Sequence, residues 1–225
     1  MSGAARDDFA AAVRAALAER ADPVRAAAQQ AYMKSAMPYH GVPMPQVRRT
    51  VRALARDHRL DLAVIARWSA ELWEGASRRE ERYAAIELTG LDAARGRLEL
   101  ADLHERQARG GAWWDYVDNI AHRAADLLDA HPDDAARLVR RWRGDRSLWL
   151  RRLAIIAQLG RRERTDRALL AEAIEANLAD REFFIRKAIG WALRDFARAD
   201  PDWVRAFAGS HELSPLSRRE AMKHL

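Results

Sequence analysis

Apolar residues recur at positions i, i+3, i+4 and i+7 in almost every segment of ten or more residues along the chain. This spacing places them on one face of an α-helix, and no run alternates apolar and polar residues for long enough to form a strand. Turn-forming stretches such as ADP (21–23), YHGVPMP (39–45), ARGGA (108–112) and AHPDD (130–134) separate the segments. The pattern predicts an all-α protein with helices of roughly 10 to 18 residues.

A longer period is superimposed on the helical one. Five segments with similar apolar and small residues, each following a break, recur at intervals of about 35 residues. They are EERYAAIEL, DYVDNIAHR, WLRRLAIIAQL, FIRKAIGWAL and SRREAMKHL. Such a period is typical of helix pairs that bury a core only by stacking, so we predict a right-handed α-solenoid of HEAT-like repeats with a concave basic groove. A generic bundle with evenly spaced helices is the alternative that periodicity leaves open.

Length and composition agree with one continuous array. A chain of 225 residues with 49% hydrophobic content can bury a sizeable core. We expect a single domain over residues 1–225, with capping helices over about residues 1–60 and repeats thereafter.

Charge points to a class of partner. The formal net charge is +6, and only three of the 39 basic residues are lysines. Codon composition can account for the preference for arginine, because the chain is also rich in alanine. The net basicity still attracts polyanions, and guanidinium groups bind phosphate through two hydrogen bonds. Nucleic acid is therefore the leading partner class.

Several kinds of chemistry are excluded. The chain has no cysteine, its seven histidines fall in no metal-ligand spacing, and GVPMP lacks the lysine of a phosphate-binding loop. We therefore expect no metal and no cofactor. The N-terminal segment has no apolar core typical of a signal peptide, and no stretch approaches the ~20 apolar residues that span a bilayer. We expect a cytoplasmic protein that does not insert into a membrane.

Four side chains form a candidate site. Trp114 and Asp118 are four residues apart on one helical face, and Arg152 follows Asp118 by 34 residues, about one repeat. Trp191 lies a further 39 residues along, about one repeat plus one helical turn. Because residues one repeat apart become neighbours on adjacent helices, the four can converge on one groove. Taken alone, Asp118 would more often be a solvated helix carboxylate.

Long motifs in the right order resemble the AlkD-like family of DNA alkylation repair glycosylases, which are built from HEAT-like repeats. The resemblance extends from about Tyr32 to the C-terminus. It is carried by QAYMKSAMPYHGVPMPQVRR, WEGASRREERYAAIEL, WWDYVDNIA, LWLRRLAIIAQL, EFFIRKAIGWALRDFARADPDWV and LSPLSRREAMKHL. Tyr116 departs from the small residues tolerated at that position in the family, and we interpret it as a surface change.

The resemblance implies roles for particular residues. The catalytic carboxylate falls on Asp118, the two lesion-facing indoles on Trp114 and Trp191, and the functional arginine on Arg152, which would also hold a backbone phosphate. The family's N-terminal tyrosine falls on Tyr32. Lys187 and Arg194, on either side of Trp191, complete the expected DNA-binding set.

The activity implied is excision of N3- and N7-alkylated purines from double-stranded DNA. No lysine stands out as a β-lyase nucleophile, so we predict a monofunctional glycosylase, and we expect a monomer. An alkylated purine already carries a positive charge and leaves readily, so a carboxylate that stabilises the cationic sugar and positions water suffices. The alternative is a non-catalytic HEAT-repeat scaffold that binds DNA structures or a protein. A scaffold would not need Asp118, which repels DNA phosphates.

Other prominent residues have structural interpretations. We expect Trp113 to lie in the core, because it points about 100° away from Trp114 on a helix. Asp115 is expected to act on the amides at the start of its helix or on the helix dipole. Core packing is expected for the remaining tryptophans, which are Trp68, Trp73, Trp142, Trp149 and Trp203.

Overall fold

The computed structural model describes residues 9–56, 58 and 60–225. Over these ranges the chain forms thirteen α-helices and no strand, which confirms the prediction of an all-α protein. The helices are α1 (Phe9–Ala18), α2 (Pro23–Met33), α3 (Met44–Arg56), α4 (Leu62–Glu74), α5 (Arg79–Leu88), α6 (Ala101–Gly111), α7 (Trp114–Ala130), α8 (Pro132–Trp142), α9 (Leu148–Ile156), α10 (Arg167–Glu175), α11 (Phe183–Phe196), α12 (Pro201–Ser210) and α13 (Pro215–Ala221).

Aspartate–proline pairs fix the start of two helices. Asp22 and Asp200 each precede a proline at the first helical position, where the missing proline N–H costs no hydrogen bond. The Asp22 carboxylate accepts from the Arg25 backbone N–H at 3.0 Å, and the Asp200 carboxylate accepts from that of Trp203 at 3.0 Å. The ADP and ADPD breaks in the sequence are therefore capped helix starts.

The chain divides into two compact units, one ending at Arg95 and the other from Gly96 to Leu225. The division falls in an interruption between α5 and α6 that the hydrophobic pattern did not single out. Gly90 and Gly96 mark this segment in the sequence, and Gly96 takes a positive φ of 67°. A glycine is favoured there because that backbone conformation is strained for other residues.

In the first unit, α5 packs against α1, α3 and α4. The segment between α2 and α3 is held by Glu80 of α5, which is almost fully buried. One Glu80 carboxylate oxygen accepts from the amides of Gly41 at 2.8 Å and Val42 at 3.0 Å, and the other accepts from His40 at 2.9 Å. Three consecutive backbone donors are thus satisfied by one buried carboxylate.

In the second unit, alternate helices form a layer. Helix α7 packs against α9, α9 against α11, and α11 against α13, while α8 contacts α7 and α9, and α10 contacts α8 and α9. Four of the five recurring sequence segments are therefore neighbouring helices of one layer. The 35-residue period corresponds to one helix pair.

Ion pairs follow the same period, because side chains one repeat apart are neighbours. Several pairs in the second unit join residues separated by 29 to 36 positions. They are Arg109–Asp145, Arg140–Glu172, Arg151–Asp180 and Asp129–Arg161. The repeat therefore converts sequence separation into lateral contact.

Some expectations about individual residues were wrong. Tyr116 is fully buried rather than at the surface, since it lies on the face of α7 that also buries Val117 and Ile120. Trp113 and Trp203, both expected in the core, are only half-buried, and Trp203 packs against Phe196 and Phe207. The other four tryptophans expected in the core, Trp68, Trp73, Trp142 and Trp149, are buried.

The break expected at 108–112 is shorter than the sequence suggested. Helix α6 continues through both glycines to Gly111 and ends with Ala112 in the left-handed conformation, at φ 44°. Ala112, the residue after the two glycines, therefore takes the left-handed position that glycine usually occupies at a helix end.

Candidate active site

Asp118 lies in the second turn of α7, whose first residue is Trp114. The preceding residue, Trp113, has an extended backbone, so the chain turns into the helix between the two tryptophans. Trp114 and Asp118 share one face of α7, one turn apart. The acidic Asp115 falls in the first turn, where a negative charge interacts favourably with the helix dipole, as expected.

Arg152 of α9 binds Asp118 through two arms of its guanidinium. Its Nε donates to Oδ1 at 2.9 Å and its Nη2 donates to Oδ2 at 3.0 Å. The remaining arm, Nη1, donates to the backbone carbonyl of Phe184 on α11 at 2.7 Å. One arginine therefore joins three successive helices of the layer.

The pair is largely removed from solvent. The Arg152 side chain is 4% exposed and that of Asp118 is 17% exposed. Desolvation by burial raises the pKa of Asp118 to about 6, Arg152 acts in the opposite direction, and the nearby charge of Asp115 raises the pKa further. The site thus holds a carboxylate that changes its charge close to neutral pH.

Trp114 and Trp191, the two indoles expected to face the lesion, differ from Trp113 in their ring contacts. Trp113 packs against Trp149 and Phe184, with ring centroids 6.0 and 5.5 Å away. Trp114 and Trp191 are half-buried, and across the described ranges neither has a ring contact or hydrogen bond with the protein. Part of each side chain remains exposed to solvent.

The expected DNA-binding cations on α11 already have a partner. Lys187 Nζ lies 2.7 Å from one carboxylate oxygen of Glu220, and Arg194 Nη1 lies 2.5 Å from the other. Glu220 belongs to α13, and these two cations, above all Lys187, lower its pKa. Tyr32 belongs to the first unit, close to the end of α2, and is 77% exposed.

Sequence reasoning placed Asp118 and Arg152 together but missed two other groups. The Phe184 carbonyl could not be found, because a backbone acceptor leaves no mark on residue type. Glu220 could have been found, since it follows Lys187 by 33 residues, almost the separation that relates Asp118 to Arg152.

Other kinds of site are not found in the part of the chain that the structure describes. No group of three or more potential ligands there could hold a metal ion. Likewise, none of the described helices is long and apolar enough to cross a membrane.

The layered helices and the Asp118–Arg152 pair define a helical-repeat protein with a largely desolvated carboxylate one helical turn from the half-buried indole of Trp114. A family model described as DNA alkylation repair enzyme matches residues 13–225. The chain therefore belongs to the family of DNA alkylation repair enzymes, and DNA is its substrate class. The family assignment confirms the resemblance seen in the sequence.

A solved structure agrees with this assignment. The chain is similar to a protein of Enterococcus faecalis described as a predicted DNA alkylation repair enzyme, with a TM-score of 0.83 and 30% identity. The similarity covers 91% of this chain and 96% of that one. No curated protein matches the chain.

Proposed function

We propose that the protein is a monofunctional DNA glycosylase that hydrolyses the N-glycosidic bond of N3- and N7-alkylated purines, such as 3-methyladenine and 7-methylguanine. The observation that carries this proposal is the largely desolvated carboxylate of Asp118, fixed by Arg152 one turn from the half-buried indole of Trp114. Family membership supports a role in DNA repair.

The substrate reduces what the enzyme must supply. Alkylation at N3 or N7 gives the purine a formal positive charge, so the base leaves as a neutral molecule without prior protonation. The remaining demand is stabilisation of a sugar with oxocarbenium character and delivery of water to its anomeric carbon. A preorganised negative charge in a site of low dielectric meets the first demand.

Asp118 can meet both demands while bound to Arg152. An ionised carboxylate has about four lone-pair sites, and the two principal guanidinium bonds occupy two of them. The remaining sites can accept hydrogen bonds from water. Arg152 fixes the orientation of the carboxylate, although its charge reduces the negative potential that a cationic sugar would experience.

The indoles of Trp114 and Trp191 are suited to a cationic lesion. The negative face of an indole attracts a cation by about 0.5–2 kcal/mol, depending on desolvation. This attraction favours a charged, alkylated nucleotide over neutral DNA. Within the part of the chain that the structure describes, neither ring stacks on another ring or makes a hydrogen bond, which supports this role, whereas Trp113 packs among protein rings.

Duplex binding is proposed to rest on basic side chains and on exposed Tyr32. Lys187 and Arg194 are the proposed phosphate contacts on α11. Arg152 is a weaker candidate for such a contact, since all three of its guanidinium nitrogens are engaged within the protein. We propose a cytoplasmic monomer that requires no metal or cofactor.

The test is incubation of the protein with a methylated duplex, followed by chromatography of the released bases. We expect 7-methylguanine and 3-methyladenine above the spontaneous rate, and an abasic strand that breaks only on alkaline treatment. Duplex binding without base release would overturn the glycosylase proposal in favour of a non-catalytic scaffold. Asp115→Asn serves as a control that removes a carboxylate near the site but not the proposed catalytic one.

A further inference from the structure

Glu220 lies on α13 between two cations of α11 and contacts one with each carboxylate oxygen. Its distances are 2.7 Å to Lys187 Nζ and 2.5 Å to Arg194 Nη1. The two non-bridging oxygens of a DNA phosphodiester present charge and acceptors in a comparable way. Glu220 therefore has the chemistry of the anion that these cations would bind in a DNA complex.

The position of Lys187 and Arg194 suits contact with a phosphate of the DNA backbone. Lys187, Trp191 and Arg194 follow the spacing i, i+4 and i+7, so they share one face of α11. The indole of Trp191 has no ring partner in the protein over the described ranges and lies between the two cations in sequence. A strand whose base reached Trp191 would bring its backbone close to this face.

Both cations remain partly accessible despite the ion pairs. The Lys187 side chain is 39% exposed and that of Arg194 is 22% exposed, while Glu220 itself is 14% exposed. A competing anion can thus approach from solvent. An incoming phosphate would take the place of Glu220 as the anionic partner, so neither cation would be left as an uncompensated charge.

Contacts other than the ion pairs hold α13 against α11. Gly190 brings the two helices into close contact, because a Cβ built there would meet Glu220 Cβ at 2.5 Å and Ser217 O at 2.8 Å. The Ser217 hydroxyl also donates to the backbone carbonyl of Arg186 at 2.9 Å, and Ala221 is fully buried. Packing holds the helix in place, which leaves the Glu220 side chain free to be replaced.

Glu220 is also an isolated acidic residue in a basic stretch of the sequence. It is the only acidic residue among the last thirteen, which include Arg218, Arg219 and Lys223. Lys187 and Arg194 lower its pKa, so protonation does not release it near neutral pH. Only another anion can take its place.

We propose that Glu220 is an internal phosphate mimic that occupies the Lys187–Arg194 contact in the free protein and is displaced by the DNA backbone on binding. The side chain thereby weakens binding to any duplex and limits stable occupancy of undamaged DNA. The inference rests on DNA as substrate, but not on glycosylase chemistry.

The test compares Glu220→Gln with Glu212→Gln by fluorescence anisotropy on an undamaged duplex at fixed salt. Glu212 is an exposed residue just before α13, so both variants change the net charge equally. We expect Glu220→Gln to bind about fivefold to tenfold more tightly than Glu212→Gln, because the phosphate no longer has to displace an internal anion from the two cations. The gain should disappear when Lys187 and Arg194 are both replaced by Gln.

Equal affinities of the two variants would overturn the proposal. So would weaker binding by Glu220→Gln with a lowered melting temperature, since that result identifies a structural ion pair. If Glu220→Gln fails to fold, Lys187→Gln decides, because the proposal requires weaker duplex binding and a purely internal pair requires none. Base release is measured separately, so failure of the glycosylase proposal is distinguishable.

Discussion

Arg152 holds both carboxylate oxygens of Asp118 across the contact between α9 and α7. Its third guanidinium nitrogen is bound to Phe184 O, so the arginine cannot turn away without breaking a bond to α11. The orientation of the carboxylate is therefore set by two neighbouring helices rather than by α7 alone. Arg152 is best described as a positioning residue for Asp118.

Asp118→Asn should slow single-turnover excision of 7-methylguanine by about 10²–10³-fold, because it removes a preorganised charge. It should also destabilise the protein by up to about 3 kcal/mol, because it leaves the buried Arg152 guanidinium poorly compensated. Affinity for the duplex should be equal or slightly higher, since a negative charge is lost. Rates at saturating enzyme and urea unfolding measure these effects separately, and excision at the wild-type rate would refute the mechanism.

The excision rate should change with pH around the pKa of Asp118. Since only ionised Asp118 stabilises a cationic sugar and its pKa is raised to about 6, the rate should rise through pH 6 and level off above it. Single-turnover rates between pH 5 and 8 test this. The pH profile of Asp118→Asn should be flat. A flat wild-type profile would show that ionisation of Asp118 does not control the excision rate.

Arg152→Ala should move the midpoint of that pH profile upward. The substitution removes the group that lowers the Asp118 pKa, while desolvation continues to raise it. Arg152→Lys keeps the charge but not the two-armed geometry, so its midpoint should move less. The salt dependence of duplex binding by Arg152→Ala provides a second measurement, and a slope smaller by about 1 would identify Arg152 as a phosphate contact instead.

Gly190→Ala should destabilise the protein by about 1–3 kcal/mol, because the new methyl group would overlap α13. Gly209→Ala is the matched control in α12, where an added Cβ meets nothing within 4 Å. It should be neutral or stabilising by up to about 1 kcal/mol, because alanine favours helix. Chemical denaturation of both variants makes the comparison, and equal stabilities would contradict close packing at Gly190.

His104 should make the fold sensitive to acid. Its ring is buried, and neither ring nitrogen has a hydrogen-bond partner among the described residues. Desolvation, assisted by the charge of Arg123, lowers its pKa from 6.5 to about 3. The unfolded chain therefore binds a proton that the native state excludes, and stability is lost as pH falls below 6.5. His104→Leu should flatten this loss in urea unfolding between pH 7 and 4, whereas His224→Leu, at an exposed residue, should not.

The features that were predicted correctly from the sequence are those that follow from its two periods. The helical class and the meeting of Asp118 with Arg152 follow from the 3.6-residue and 35-residue periods, as does the placement of Trp114 beside Asp118. Burial of Tyr116 did not follow, because an aromatic residue next to charged ones fits either side of a helix. The Glu220 contacts depend on the close approach that Gly190 allows, a distance that residue spacing does not contain.

The buried carboxylate of Glu80 gives the segment between α2 and α3 a property unusual for an irregular stretch. The amide protons of His40, Gly41 and Val42 all point to it, although none belongs to a helix. Their exchange with deuterium must wait until α5 separates from this segment. The exchange rates of these three amides would therefore report on opening of the first unit, without a probe group attached to the protein.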